Sequence, residues 1–317
     1  MGYHFDFRRY SRRFLQPLVT RHGLWDTREG IIIYLTDARG NCGSGEIAPI
    51  SWFGSETLEE AGDFCRQLPP VITEEMIFSI PDSLPACQFA FESALTAITS
   101  SKNHHLNSAV LSPAAYSGLL PAGEAALNQW QKLWKQGYRT FKWKIGVNAI
   151  SQETEIFQLL TGSLPPGAKL RLDANGGLSY EEAELWLGMC ENISANVEFI
   201  EQPLPVTQFS AMLELSANFK TAIALDESVA TLTQLQNCWK QGWRGIFVIK
   251  PAIAGSPSRL RKFCQQHQID VVFSSVFETA IGRQAALQLA AELSPQNRAF
   301  GFGIQNFFAT PEHTAFT

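Results

Sequence analysis

Apolar and polar positions alternate along residues 3–10, with Tyr3, Phe5 and Phe7 on one face, the period of a half-buried strand. A second apolar run at residues 31–36 is followed by Asp37-Ala38-Arg39-Gly40-Asn41 and by a third extended stretch at residues 44–49. The polar, glycine-containing turn between them predicts an antiparallel meander. Ser55, with Glu56, Glu59 and Glu60 close behind it, has the character of a helix start, and the amphipathic segment it opens is expected to reach Leu68. Residues 84–99 predict a second helix. Strands followed by helices make this first region an α+β unit.

The pattern changes after the polar stretch Ser100-Ser101-Lys102-Asn103-His104-His105, which places a domain boundary between residues 1–103 and 104–317. His104 and His105 read as a solvated pair, because adjacent side chains on a polar linker rarely converge on a metal. Beyond them, short β-rich runs lie at residues 109–111, 140–145, 169–172, 197–200, 221–225, 245–249, 270–273 and 299–302. Helical stretches such as 180–190, 258–266 and 284–293 separate them. Strand alternating with helix predicts right-handed crossovers and a parallel sheet, and eight such strands predict a closed (β/α)8 barrel.

Five ionisable residues stand where the apolar runs end: Lys144, Asp173, Glu201, Asp226 and Lys250, spaced 24 to 29 residues apart. That spacing matches one strand-helix unit, so each residue holds the same relative place on its strand. The C-terminal strand ends of a barrel converge on one mouth, and the five charges are therefore expected in a single site. A lone Asp after a strand is ordinarily a helix cap and a lone Lys a solvated charge; five in register, ordered lysine, acid, acid, acid, lysine, are not explained that way. Three carboxylates forced together raise one another's pKa unless a cation neutralises them. An all-oxygen set without His or Cys suits Mg²⁺, with Mn²⁺ as a substitute, rather than zinc. A divalent ion flanked by two lysines suits abstraction of a proton from carbon next to a carboxylate. The base must be neutral near pH 7, and Lys142, two residues before Lys144 on the same strand face, supplies a second cation to push Lys144 down.

Composition narrows the partners. Twenty-five Lys and Arg against 30 Asp and Glu give a net charge of −5, so no global basic field exists to attract nucleic acid. The six cysteines lie at least 22 residues apart, without the close pair that a zinc knuckle or redox motif needs, and read as reduced thiols of a cytoplasmic protein. No apolar run approaches the ~20 residues that span a bilayer. There is no G-x-S-x-G elbow, no P-loop and no G-x-G-x-x-G after a strand; Gly301-Phe302-Gly303 reads instead as a close approach of backbone to a ligand or neighbouring strand.

Lys142-Trp143-Lys144, Arg171-Leu172-Asp173-Ala174-Asn175, Phe199-Ile200-Glu201-Gln202-Pro203, Leu225-Asp226-Glu227-Ser228 and Ile249-Lys250-Pro251 resemble the motif series of the enolase superfamily, in its muconate-lactonising subgroup. Gly45-Glu46-Ile47-Ala48-Pro49, the segment 55–60 and Phe273-Ser274-Ser275 extend the resemblance over both domains. It implies a modified TIM barrel behind an N-terminal α+β capping domain. Within the subgroup the chain is most similar to the branch that dehydrates 2-succinyl-6-hydroxy-2,4-cyclohexadiene-1-carboxylate to 2-succinylbenzoate in menaquinone and phylloquinone biosynthesis. By that resemblance Asp173, Glu201 and Asp226 bind Mg²⁺, and Lys144 removes the proton and returns it to the departing hydroxyl. Lys250 holds the developing charge from the opposite face, and Arg171, Asn175 and Ser274 contact the substrate or the ligand set. Two capping segments, residues 20–24 and 49–54, are expected to close over the mouth; Ile50-Ser51-Trp52-Phe53 departs there from the family's commoner Leu-Pro-Gly-Phe. The rival within the superfamily is an epimerase of dipeptides or N-acylamino acids, with both lysines as bases. Such epimerases tend to carry Asp-x-Asp after the eighth strand, where this chain reads Gly301-Phe302-Gly303-Ile304-Gln305-Asn306-Phe307-Phe308, without an acid. A barrel serving only as a binding module would need a decayed ligand set, and this set is intact.

Overall fold

The computed structural model describes residues 2–20, 23–100, 112–294, 298–303 and 307–308. Strands β1 (Gly2–Thr20), β2 (Gly23–Thr36), β3 (Cys42–Ile47) and β4 (Val71–Thr73) form an antiparallel sheet in the order β3-β2-β1-β4. Strand β1 runs far beyond the expected end at residue 10. The alternation continues through buried Tyr10, Arg12 and Phe14, but an arginine at one inward position disguises it. The Arg12 guanidinium is accommodated inside because it lies 3.8 Å from the centroid of the Phe308 ring. β1 and β2 pair from His4↔Thr36 to Thr20↔Gly23, with a register shift between Arg13 and Leu18. The resulting long hairpin reaches across to residues 307–308, where the Leu15 amide bonds the Phe307 carbonyl at 2.8 Å.

Three helices complete this unit: α1 (Leu58–Gln67), α2 (Glu74–Phe78) and α3 (Pro85–Ser100). α1 starts later than Ser55 because Thr57 and Glu60 form the capping box, whereas the Ser55 hydroxyl accepts from the Ile50 amide. α3 is buried around most of its circumference, at Ala86, Cys87, Phe89, Ala90, Phe91, Ala94 and Leu95, because it is packed between the antiparallel sheet and the barrel. β3 approaches it so closely that a Cβ on Gly45 would stand 2.0 Å from the Ala90 carbonyl oxygen.

The second sheet is parallel. Its strands are β5 (Ser117–Leu120), β6 (Thr140–Lys144), β7 (Lys169–Asp173), β8 (Asn196–Glu201), β9 (Ile223–Leu225), β10 (Ile246–Ile249) and β11 (Val271–Phe273), each hydrogen-bonded to the next. Helices α4 (Ala126–Lys135), α5 (Ile150–Ser163), α6 (Tyr180–Glu191), α7 (Phe209–Asn218), α8 (Leu232–Lys240), α9 (Pro251–Ala254), α10 (Pro257–His267) and α11 (Ala280–Leu293) follow or connect them. The expected strand at 109–111 and the 103/104 boundary lie outside the described residues. The first barrel strand is found instead at Ser117-Gly118-Leu119-Leu120, a run too short to show a period. The expected eighth strand is reduced to two bridges, Tyr116↔Phe300 and Ser274↔Gly301. They suffice to close the ring: the Phe300 amide bonds the Ala115 carbonyl at 2.8 Å and the Gly301 amide the Phe273 carbonyl at 2.7 Å. The sheet is therefore a barrel with a short last stave.

Gly45→Ala forces β3 away from α3, since a helix backbone cannot yield as a side-chain tip can. The substitution should destabilise the protein by about 2 kcal/mol or more, read as a shift of the urea unfolding midpoint.

Candidate active site

Lys144 pairs in register with Asp173, and Asp173 with Glu201, so three charges stand level at the ends of β6, β7 and β8. Asp226 and Lys250 are the first residues past β9 and β10. These five, with Lys142, Arg171, Asn175 and Ser274, line one cavity of about 1190 Å³ at the C-terminal mouth of the barrel. The antiparallel unit supplies its outer wall: Gln16, Leu18, Thr20 and Trp25 from the hairpin, and Ile50, Trp52 and Phe53 from the loop after β3. Both segments expected over the mouth thus border it, residues 21 and 22 lying outside the described residues.

Backbone anchors fix the strand ends. The loop after Lys144 is held by Glu153 of α5, whose carboxylate accepts from the amides of Gly146, Val147 and Asn148 at 2.7, 2.9 and 2.9 Å. Gln202, fully buried with a φ of 38°, accepts from the amides of Asp226 and Ser228 at 3.0 and 3.1 Å and donates to the Ser228 hydroxyl at 2.8 Å. It ties the residue after Glu201 to the residues around Asp226.

Ionic contacts dominate the interior of the site. Lys142 Nζ lies 2.7 Å from Asp173 Oδ2 and 2.8 Å from Glu201 Oε1. Lys250 Nζ pairs with Asp226 Oδ1 and sits 4.0 Å from the centroid of the Phe53 ring. Lys144 takes part in none of these pairs and keeps its amine for the cavity. Burial, then the charge of Asp173, pushes Glu201 up to about 8. Burial likewise raises Asp226 and Glu227. It pulls Lys142 the other way, but the charges of Asp173, Glu201 and Asp226 outweigh it and keep that ammonium above its ordinary range.

Asp173, Glu201 and Asp226 are the residues able to hold a metal, and their chemistry fits a hard divalent cation: oxygen donors only, buried, and short of positive charge. Among the described residues, no three acidic, His or Cys side chains already surround one point. Instead Lys142 bridges Asp173 and Glu201, and Lys250 pairs with Asp226. Glu227, which the sequence reading passed over, belongs beside them. It lines the cavity, Asn175 Nδ2 donates to its Oε1 at 3.1 Å, and its Oε2 is buried without a hydrogen bond. Its position next to Asp226 was the available signal.

Arg171 lines the cavity from below. Only 1% exposed, it gives Nε to Glu198 Oε2 at 2.6 Å and Nη1 to the Ala299 carbonyl at 2.8 Å. It forms the floor of the cavity, bracing β7 against β8 and the closing segment, since a buried guanidinium must find acceptors. Asn175, in the left-handed region at φ 46°, and Ser274 do face the cavity.

Two family models match the chain: "Enolase C-terminal domain-like" over residues 125–307 and "MenC, N-terminal domain" over residues 4–98. The o-succinylbenzoate synthase of Thermosynechococcus vestitus is 40% identical over 98% of this chain and 96% of that protein. The crystal structure of o-succinylbenzoate synthase from Thermosynechococcus elongatus, complexed with Mg in the active site, superposes with a TM-score of 0.90 at 39% identity, covering 97% of this chain and 95% of that one. The L-Ala-D/L-Glu epimerase of Bacillus subtilis shares the fold, with a TM-score of 0.79 at 22% identity over 96% of this chain and 90% of that one.

Carboxyls raised in the folded state bind protons more tightly there than in the unfolded chain. Their contribution to stability is fully present below the unfolded carboxylate range and is lost as pH rises toward the folded value, about 8 for Glu201. The melting temperature of chelator-treated protein should therefore fall between pH 5 and pH 8, and a millimolar divalent cation should flatten that slope. A chelator-treated melting temperature that rises across this interval would contradict the charge balance described.

Proposed function

Because the chain belongs to the enolase superfamily and, within it, to the o-succinylbenzoate synthases, we propose that the five charged strand ends carry out its reaction, a syn dehydration. The enzyme is a carbon–oxygen lyase that removes water from 2-succinyl-6-hydroxy-2,4-cyclohexadiene-1-carboxylate to give 2-succinylbenzoate. The observation that carries the assignment is the convergence of Lys144, Asp173, Glu201, Asp226 and Lys250 on one cavity.

Asp173, Glu201 and Asp226 would hold Mg²⁺, with Mn²⁺ as a substitute; when bound, the ion supplies positive charge for the substrate carboxylate as the adjacent carbon loses its proton. Lys144 takes that proton from carbon and returns it to the hydroxyl that departs from the same face, so one residue serves both halves of the elimination. Lys250 stands across the ring from Lys144, with β7, β8 and β9 between their strands, and stabilises the developing negative charge from the other face. Lys142 holds Asp173 and Glu201 in place and adds positive charge beside Lys144. Asn175 and Ser274 contact the substrate, and the aromatic wall of Trp25, Phe53 and Phe277 excludes water around an apolar ring. The substrate is a small carboxylate, nucleic acid is not a partner, and the expected setting is the cytoplasm, in menaquinone or phylloquinone biosynthesis. No helix among the described residues is long and apolar enough to cross a membrane.

Lys144→Ala should lose at least the roughly 10²- to 10⁴-fold of a general acid–base residue, and Lys144→Arg should fare no better because a guanidinium does not release a proton near pH 7. A Lys144 variant with near-normal kcat would move the base elsewhere. Lys250→Arg keeps the charge and should retain more dehydration activity than Lys250→Ala. In D₂O, the wild-type enzyme should form 2-succinylbenzoate from the cyclohexadiene acid. Efficient α-deuterium exchange and epimerisation of a dipeptide, with negligible 2-succinylbenzoate, would favour the two-base epimerase instead.

A further inference from the structure

Residues 274–279, between β11 and α11, form one wall of the cavity in a shape that local preference does not explain. Phe277 has a φ of 63°, a left-handed conformation that an aromatic L-residue seldom adopts unless its surroundings impose it. Its ring is wedged among Phe14, Trp25 and Phe307, with centroids 5.4, 5.6 and 5.6 Å away. Behind it, Glu278 accepts from the Ser275 hydroxyl at 2.8 Å and the Val276 amide at 2.6 Å, and the Ser275 hydroxyl in turn accepts from the Phe277 amide at 2.9 Å.

The loop is anchored from the other domain. Glu46, on β3, is 0% exposed, yet its carboxylate is surrounded by donors. The Thr279 amide reaches both oxygens at 2.9 Å, the Thr279 hydroxyl reaches Oε2 at 2.5 Å, the Gly282 amide reaches Oε2 at 2.9 Å, and the Tyr10 hydroxyl reaches Oε1 at 2.5 Å. A carboxylate of the antiparallel unit thus caps α11, favoured by the positive end of that helix. The fit is close enough that a Cβ on Gly282 would lie 2.7 Å from Oε2. A buried carboxylate is costly unless every oxygen is bonded, so this one fixes its partners firmly.

We propose that Glu46 is a positioning residue for the substrate cavity. By clamping Thr279 and the start of α11 to β3, it holds residues 274–277 in the shape that sets Phe277 and Ser274 on the cavity wall. The proposal rests on the reading of that cavity as the substrate site. The charged residues stand on other strands, β6 to β10, so loss of the clamp spoils the fit of the non-reacting part of the substrate and leaves the chemical step.

The experiment compares Glu46→Gln, Phe277→Ala and the double variant with the wild-type full chain, in Mg²⁺, on the cyclohexadiene acid. Glu46→Gln keeps the size of the side chain but replaces an acceptor oxygen by a donor; KM should rise about tenfold with kcat within about threefold. The double variant should be little worse than the worse single one, because both act through the same wall. Amide hydrogen exchange of the same variant should quicken at Val276, Thr279 and Gly282 and stay unchanged in β7. Should Glu46→Gln fail to fold, Tyr10→Phe removes one donor and leaves the rest of the clamp, with a smaller rise in KM expected. An unchanged KM with a fall in kcat, strictly additive effects in the double variant, or accelerated exchange spread over the whole chain would each overturn the proposal. If the wild type does not turn over the cyclohexadiene acid, the assigned reaction fails, and the exchange measurement still decides whether Glu46 holds the loop.

Discussion

Three carboxylates, Asp173, Glu201 and Asp226, are buried together at the mouth of the barrel, with the half-buried Glu227 beside them. Such a cluster is unfavourable on its own, because low dielectric magnifies both the loss of hydration and the mutual repulsion. Two lysines compensate part of it, Lys142 between Asp173 and Glu201 and Lys250 on Asp226. The compensation is incomplete, since Glu201 is still pushed up to about 8. A deficit of positive charge would make such a site receptive to a divalent cation, the role proposed for it, and it sets the demands on everything around it. Gln202 and Glu153 hold the strand ends through backbone amides so that the charges cannot drift apart into solvent.

The antiparallel unit answers a second demand, the exclusion of water from this charge. Its long β1–β2 hairpin and the loop carrying Trp52 and Phe53 stand over the mouth, and the Phe53 ring rests against the Lys250 ammonium. Covering the site in this way works only if the two domains keep one relative placement. Buried polar contacts between them supply that fixity: Glu46 caps α11, while Glu92 accepts from the Ser258 amide at 2.9 Å and Gln88 from the Ser256 amide at 3.0 Å, capping α10. Two helices that follow walls of the cavity thus begin on side chains of the other domain.

Most of the barrel was legible because period and spacing are local properties of the chain. The strand ends at Lys144, Asp173, Glu201, Asp226 and Lys250 follow apolar runs of a kind only a buried parallel strand needs, and the unit length put them in register. What escaped had a physical reason each time. Ser117–Leu120 is too short to show a period, and the last stave is two bridges whose partners are remote in sequence. Arg12 hides the second half of β1 because its cation is stabilised by the Phe308 ring, a contact nearly three hundred residues away along the chain. The acceptors that hold Arg171, on Glu198 and Ala299, come from other elements and leave no local signal. The clamp on Glu46 is likewise tertiary, visible only once β3 and α11 are side by side.

Whether this carboxylate layer holds one divalent cation is decided by calorimetric titration of Mg²⁺ into the metal-free protein at pH 7, in two buffers of different ionisation heat. One ion should bind per chain with net release of protons, because burial pushes the Glu201 carboxyl up to about 8 and the metal requires it ionised, and Asp226→Asn should lose that binding. Absence of Mg²⁺ binding to the wild type, or binding that Asp226→Asn leaves unchanged, would contradict that role for the layer.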